Sequence, residues 1–233
     1  MADLHNHQTL AQLDADGALE EALDAAAGST RSQFLHSATL GSAVLLAGLW
    51  DTAIASPGPK QDTAILNYAL AFEYLQAGFY TEAESLGTIR AMDAEQERWA
   101  RTLGAHERAH VRILKAVLGP RAAAKPFFNY RGLTEDPAAF TRTAVAMEDL
   151  TVALLGGQAP RVSNQGLRSA FFSLLTVEAR HAAWARRIVG AAPVAAAFDP
   201  PKTLAQVDRV IRSTRFRVSR PRSEGRGLPR FTG

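Results

Sequence analysis

The sequence predicts an all-α protein, a four-helix bundle with one long crossover and a short C-terminal helix. Three observations carry that prediction. Four segments between residues 62 and 189 repeat apolar residues at steps of three and four, the period of a helix that lays one face on a core. A stretch from 120 to 136, rich in Pro and aromatic residues, interrupts that period midway. Glu-x-x-His occurs twice, as Glu107-Arg108-Ala109-His110 and Glu178-Ala179-Arg180-His181, each inside one of the periodic segments.

Residues 1–29 read as an acidic, Ala-rich leader, with a short helix over 14–27 stopped by Gly28-Ser29. Residues 30–55 read as an export signal. Thr30-Arg31-Ser32-Gln33-Phe34-Leu35 resembles the twin-arginine motif with Ser32 in place of the second arginine, and an apolar run over 38–50 leads to Ala53-Ile54-Ala55, a small-residue cleavage site. The run falls short of the roughly 20 apolar residues that a membrane span needs. Uncleaved, it would remain as an N-terminal anchor. The expected location is therefore exported, in the periplasm, cell envelope or outside the cell, with a cytoplasmic protein as the alternative.

The bundle is expected over 60–212. Asp62 is the expected N-cap of a first helix that runs to about 86 and stops at Gly87, with Leu66, Leu70, Ala77 and Tyr80 on the same face as Glu73. A second helix spans about 93–118 and ends at Gly119-Pro120, its stripe formed by Leu103, Glu107, His110, Leu114 and Val117. The long crossover that follows lets the third helix run parallel to the second. That third helix begins at Pro137 behind Asp136 or Thr134 and is expected to end at Gly156-Gly157, with Glu148 near its middle. The fourth, about 163–189, carries Leu167, Phe171, Leu174, Glu178, His181, Ala185 and Ile188. A short fifth helix over 203–212 is expected against the bundle's end, and 213–233 as a basic disordered tail.

Composition narrows the chemistry. The chain has 233 residues, 47% of them apolar, and no cysteine, so disulfides, thiolate metal sites and a cysteine nucleophile are excluded. The net charge of +3 conceals an asymmetry: residues 1–30 hold six acids and no Lys or Arg, whereas 202–233 hold nine Lys or Arg against two acids. Such a tail could meet an anionic surface or polymer. No phosphate-binding glycine loop or nucleophile elbow is present, which argues against nucleotide binding, a nucleic-acid enzyme and a serine hydrolase.

The metal reading rests on convergence. With twelve Glu and six His, random placement gives about a third of one Glu-x-x-His. On a helix, i and i+3 aim the carboxylate and imidazole at one place. Glu73, Glu107, Glu148 and Glu178 lie about eleven, fourteen, eleven and fifteen residues into their helices. At about 1.5 Å per residue, that puts all four near mid-height of a bundle. The expected metal ligands are Glu73, Glu107, His110, Glu148, Glu178 and His181, the set that a di-metal carboxylate centre takes from four helices. Two divalent ions would cancel the four carboxylate charges, and oxygen and nitrogen donors suit iron first and manganese second. His106 is expected at the surface; Tyr68, Tyr74, Tyr80 and Trp184 are read mainly as packing, with electron transfer as their alternative role.

At these positions the chain resembles the exported bacterial ferritin-like domain family, related to plant desiccation-related proteins. Residues 62–83, with Asn67-Tyr68-Ala69-Leu70-Ala71-Phe72-Glu73-Tyr74-Leu75 and Phe79-Tyr80, are similar to that family's opening helix. The resemblance continues through His106-Glu107-Arg108-Ala109-His110, Glu148-Asp149, Glu178-Ala179-Arg180-His181 and Ala197-Phe198-Asp199-Pro200-Pro201, covering about 60–212. It implies a ferritin-like bundle holding two Fe per chain, with Mn as the alternative. Oxygen or peroxide are the expected small partners, and a homodimer is the assembly considered. The expected function is ferroxidase-like oxidation in protection against oxidative or drying stress. The alternatives are manganese-dependent peroxide dismutation and a non-catalytic stress protein acting through its surface.

Overall fold

The computed structural model describes residues 60–219. The acidic leader, the export signal or anchor, and the end of the basic tail lie outside the described residues. In chain order the elements are α1 (Lys60–Leu86), α2 (Ala94–Leu118), β1 (Phe127–Phe128), α3 (Pro137–Gln158), α4 (Gln165–Ile188), α5 (Leu204–Thr214) and β2 (Arg217–Val218). No described helix is long and apolar enough to cross a membrane.

Contacts between helices fix their directions. Asn67 near the start of α1 donates to the Arg121 carbonyl just past the end of α2, and farther along Tyr80 abuts Gly104, so α2 runs back along α1. The Tyr80 hydroxyl donates to Glu148 and that of Thr151 to Gln76, so α3 is also antiparallel to α1 and hence parallel to α2, as the long crossover implies. Arg187 near the end of α4 meets Glu95 at the start of α2, completing an up-down-down-up bundle.

The helix starts follow local chemistry, with one correction. Asp93 caps α2 through the N–H groups of Glu95 and Gln96, Asp136 caps α3 with Pro137 in its first turn, and Asn164 caps α4. Asp62 does not cap its own helix, because α1 already begins at Lys60. Its buried carboxylate instead accepts from the Ser163 N–H and hydroxyl and from the Asn164 N–H, tying the starts of α1 and α4 together.

α1 is the most enclosed helix. Ile65, Leu66, Ala69, Leu70, Phe72, Glu73 and every residue from Tyr74 to Tyr80 are buried. The single apolar face read from its sequence becomes a buried circumference, because two later segments cover its outside. Val207 of α5 packs with Phe72, Leu150 and Leu154, so α5 lies along the flank of α1 and α3 and not against the bundle's end. The crossover supplies the other cover: Tyr130 is fully buried, stacks edge-on to Phe79 and donates its hydroxyl hydrogen bond to the Leu75 carbonyl. The ring occupies space that Gly78, lacking a Cβ, leaves open.

The basic tail begins later than 213. Ser213 and Thr214 still belong to α5, Phe216 is buried against Tyr130, and β2 pairs antiparallel with β1, Phe127 opposite Val218 and Phe128 opposite Arg217. The predicted stop at Gly156-Gly157 is also displaced, to Gln158. Both glycines are helical, and Gly157 serves packing: a Cβ there would strike the backbone of Lys202, whose N–H donates to the Ala153 carbonyl. Gly157→Ala is expected to lower stability by about 1–3 kcal/mol despite alanine's better helix propensity, since backbone must move to admit the methyl group. The midpoint of urea unfolding measures this, and an unshifted midpoint would mean that the strap around Lys202 yields freely.

Candidate metal centre

Each inward stripe delivers its acid to the bundle's interior. α1 supplies Glu73, α2 supplies Glu107 and His110, α3 supplies Glu148, and α4 supplies Glu178 and His181. All four carboxylates have zero exposure, and the two imidazoles are buried. The six residues predicted as ligands are thus brought together by four different helices.

Their geometry forms two overlapping groups, Glu73, Glu107, His110 and Glu178 in one and Glu107, Glu148, Glu178 and His181 in the other, each able to bring one donor atom per residue within 4.8 Å of the rest. Glu107 and Glu178 belong to both. His110 Nδ1 lies 3.0 Å from Glu178, 3.3 Å from Glu73 and 3.5 Å from Glu107. His181 Nδ1 lies 3.0 Å from Glu107, 3.4 Å from Glu178 and 3.7 Å from Glu148. The two rings face each other at 5.8 Å.

Apart from the hydrogen bond between His110 Nδ1 and Glu73 Oε2, closeness here is not hydrogen bonding. Glu73 Oε1, both oxygens of Glu107, Glu148 Oε2, both oxygens of Glu178 and His181 Nδ1 are buried without an aligned partner. An orphaned buried polar atom costs about 1–3 kcal/mol, so so many in one place mark a site arranged around something other than itself. Carboxylate and imidazole donors without thiolate fit iron or manganese.

The proton balance of the cluster follows from burial and neighbours. Burial raises Glu73 and Glu148 well above the usual carboxylate range, and the charge on Glu107 adds to it. Burial also acts to raise Glu107 and Glu178, but the imidazoles of His110 and His181 outweigh it and leave both carboxyls lowered. For the histidines burial acts downward, yet the surrounding carboxylates win and hold both well above 6.5. These directions make Glu107 and Glu178 the carboxyls that ionise first, and Glu73, Glu148 and the two imidazoles the groups that hold their protons longest.

Two further residues touch this centre. The fully buried Tyr80 donates its hydroxyl hydrogen bond to Glu148 Oε1 at 2.7 Å. Its ring packs edge-on against Trp99 and Phe140, so an aromatic wall stands behind Glu148. Among the described residues, Tyr68, Tyr74 and Trp184 make no hydrogen bond into the cluster; the Tyr68 hydroxyl donates instead to the Leu204 carbonyl of α5.

His106 corrects the sequence expectation of a surface residue. It is only partly exposed, its Nδ1 lies 2.9 Å from His181 Nε2, and the two rings stack at 5.1 Å. Burial and the neighbouring imidazoles push it down to about 4, so it is neutral at ordinary pH. The available signal was its i, i+4 spacing to His110, which places both on one side of α2.

A family model described as a ferritin-like domain matches residues 61–191, a span that holds all six converging residues, Tyr80 and His106 and ends before α5. No curated protein matches the chain.

Proposed function

Because the chain belongs to the ferritin-like domain family, we propose that its six converging side chains hold two divalent metal ions, iron first, and that the protein oxidises Fe(II) with oxygen or peroxide. The observation that carries this reading is the concentration of orphaned carboxylate and imidazole atoms at the meeting point of four helices.

Glu107 and Glu178, common to both groups, would be shared by the two ions. Glu73 with His110 would complete one end, and Glu148 with His181 the other. Bound there, redox-active metal ions supply Lewis acidity and electron transfer toward an oxidant. The protein's part is to charge-balance, orient and exclude water. Four carboxylates offset two divalent ions once Glu73, Glu148 and both imidazoles release the protons they hold. Tyr80 fixes the rotamer of Glu148 through its hydrogen bond, and the wall of Phe79, Tyr80, Trp99 and Phe140 keeps bulk water from that side. The setting proposed with this chemistry is an exported compartment under oxidative or drying stress.

The test uses the full chain, purified after growth with iron and manganese supplied, its metal content read by mass spectrometry. About two Fe per chain, with oxidation of added Fe(II) followed by absorbance, is the expected result. Two Mn with oxygen evolution from peroxide would replace it with peroxide dismutation on the same ligands. Protein that stays empty after loading with either ion would overturn the centre and leave the bundle a scaffold.

A further inference from the structure

We propose that His106 is a positioning residue that fixes the tautomer and ring orientation of His181, so that one of the two metal positions is braced and the other is not. The inference rests on the proposed centre and adds a member that its ligand set does not contain.

A neutral imidazole carries its proton on one nitrogen and offers a lone pair at the other. His181 turns Nδ1 toward Glu107, Glu178 and Glu148, and Nε2 away from them toward His106. For Nδ1 to bind a cation, the proton must reside on Nε2, and the opposite tautomer would aim an N–H at the site. His106 Nδ1, 2.9 Å from that Nε2, is placed to accept its hydrogen bond, and with its own proton on Nε2 it holds His181 in the binding tautomer. The stack of the two rings, 20° from parallel, adds a packing restraint on the angle at which His181 stands. His106 performs this across the helix boundary, from α2 to a residue of α4.

The other half of the centre lacks the device. His110 also turns Nδ1 inward, but among the described residues no hydrogen-bond partner meets its outer nitrogen. The two Glu-x-x-His pairs are alike in sequence and unlike in support.

Titration of the full chain with Zn(II), a closed-shell ion that the same donors accept, tests the assignment alongside two variants. Leucine keeps bulk and helix propensity but accepts no hydrogen bond; asparagine can place its Oδ1 near the position of the histidine Nδ1. His106→Leu is expected to weaken one of the two bound ions by about 10–100-fold with the other unchanged, and His106→Asn to restore most of the loss. Long-range proton–nitrogen NMR of the Zn(II)-loaded wild type should show the His181 proton on Nε2. Two unchanged affinities in His106→Leu would overturn the inference, as would a wild-type His181 protonated on Nδ1, a reading that requires no variant to fold. Wild-type protein that binds no Zn(II), Fe(II) or Mn(II) would remove the centre itself and this role with it, an outcome distinct from an intact two-metal site indifferent to residue 106.

Discussion

Glu107→Ala is expected to empty the centre of both metals, an effect matched only by the same change at Glu178. Glu107 and Glu178 are the residues common to the two ligand groups, whereas Glu73 and Glu148 each serve one. Losing Glu107 removes a donor from each position and leaves three carboxylates against two divalent ions. Glu73→Ala should by contrast spare the ion on the His181 side. Mass spectrometry of the two variants, each loaded under the same conditions, separates these outcomes: about two metals in wild type, about one in Glu73→Ala, and none in Glu107→Ala. The metal-free fold should suffer as well, because His110 and His181 each lose a carboxylate within 3.5 Å, and breaking a buried ion pair typically costs about 3–5 kcal/mol. Circular dichroism at 25 °C distinguishes an unfolded variant from an empty one. Two metals retained in Glu107→Ala would refute the shared-ligand assignment.

The second large effect concerns pH. Glu73 and Glu148 are raised from 4.5, and His110 and His181 from 6.5, so the metal-free fold binds protons that the unfolded chain has released. Stability from such groups is complete below the unfolded values and is lost as pH climbs through the folded ones, at about 1.4 kcal/mol per pH unit for each group within its window. Glu107 and Glu178 act in the other sense: lowered from 4.5, they stabilise above that value and lose their contribution as pH falls through the folded ones. The cluster's contribution to the metal-free protein therefore peaks near pH 4.5 and declines above it, with the histidines adding to the decline beyond 6.5. Metal binding inverts this trend, because ligands must shed protons to bind. Urea midpoints of chelator-treated and Mn(II)-loaded protein, compared at pH 6 and 8.5, are expected to draw apart as pH rises. A gap independent of pH would eliminate the exchange of protons for metal.

Which of these residues were legible in the sequence follows from what a helix repeat can express. A stripe at steps of three and four reports the face a helix turns inward, so acids standing on apolar stripes announced Glu73, Glu107, Glu148 and Glu178, and i, i+3 spacing added the two histidines. Relations between helices were less legible. His106 sits on the flank of α2, and its partner His181 is 75 positions away, so the local spacing to His110 gives its side of the helix but not the contact. Asp62 failed for the same reason: it has the chemistry of a cap, but the N–H groups it satisfies belong to residues 163 and 164. The helix that continues through Gly156 and Gly157 shows a third case, in which glycine answers the close passage of Lys202 and not a chain reversal.

The burial of α1 on every side has a consequence for synthesis. Among the described elements it is the first to leave the ribosome, yet Tyr68 waits for Leu204, its hydrogen-bond partner 136 residues downstream. At about 5–20 residues per second, that interval is roughly 7–27 s. Throughout it, Phe72 and its neighbours remain an open greasy strip, so the nascent chain reaches the assembly of its four carboxylates before the strip is sealed by Val207. The last of the described helices is therefore a closing clasp, and a chain interrupted between the end of α4 and residue 204 can gather its ligands yet still carry a surface that invites aggregation.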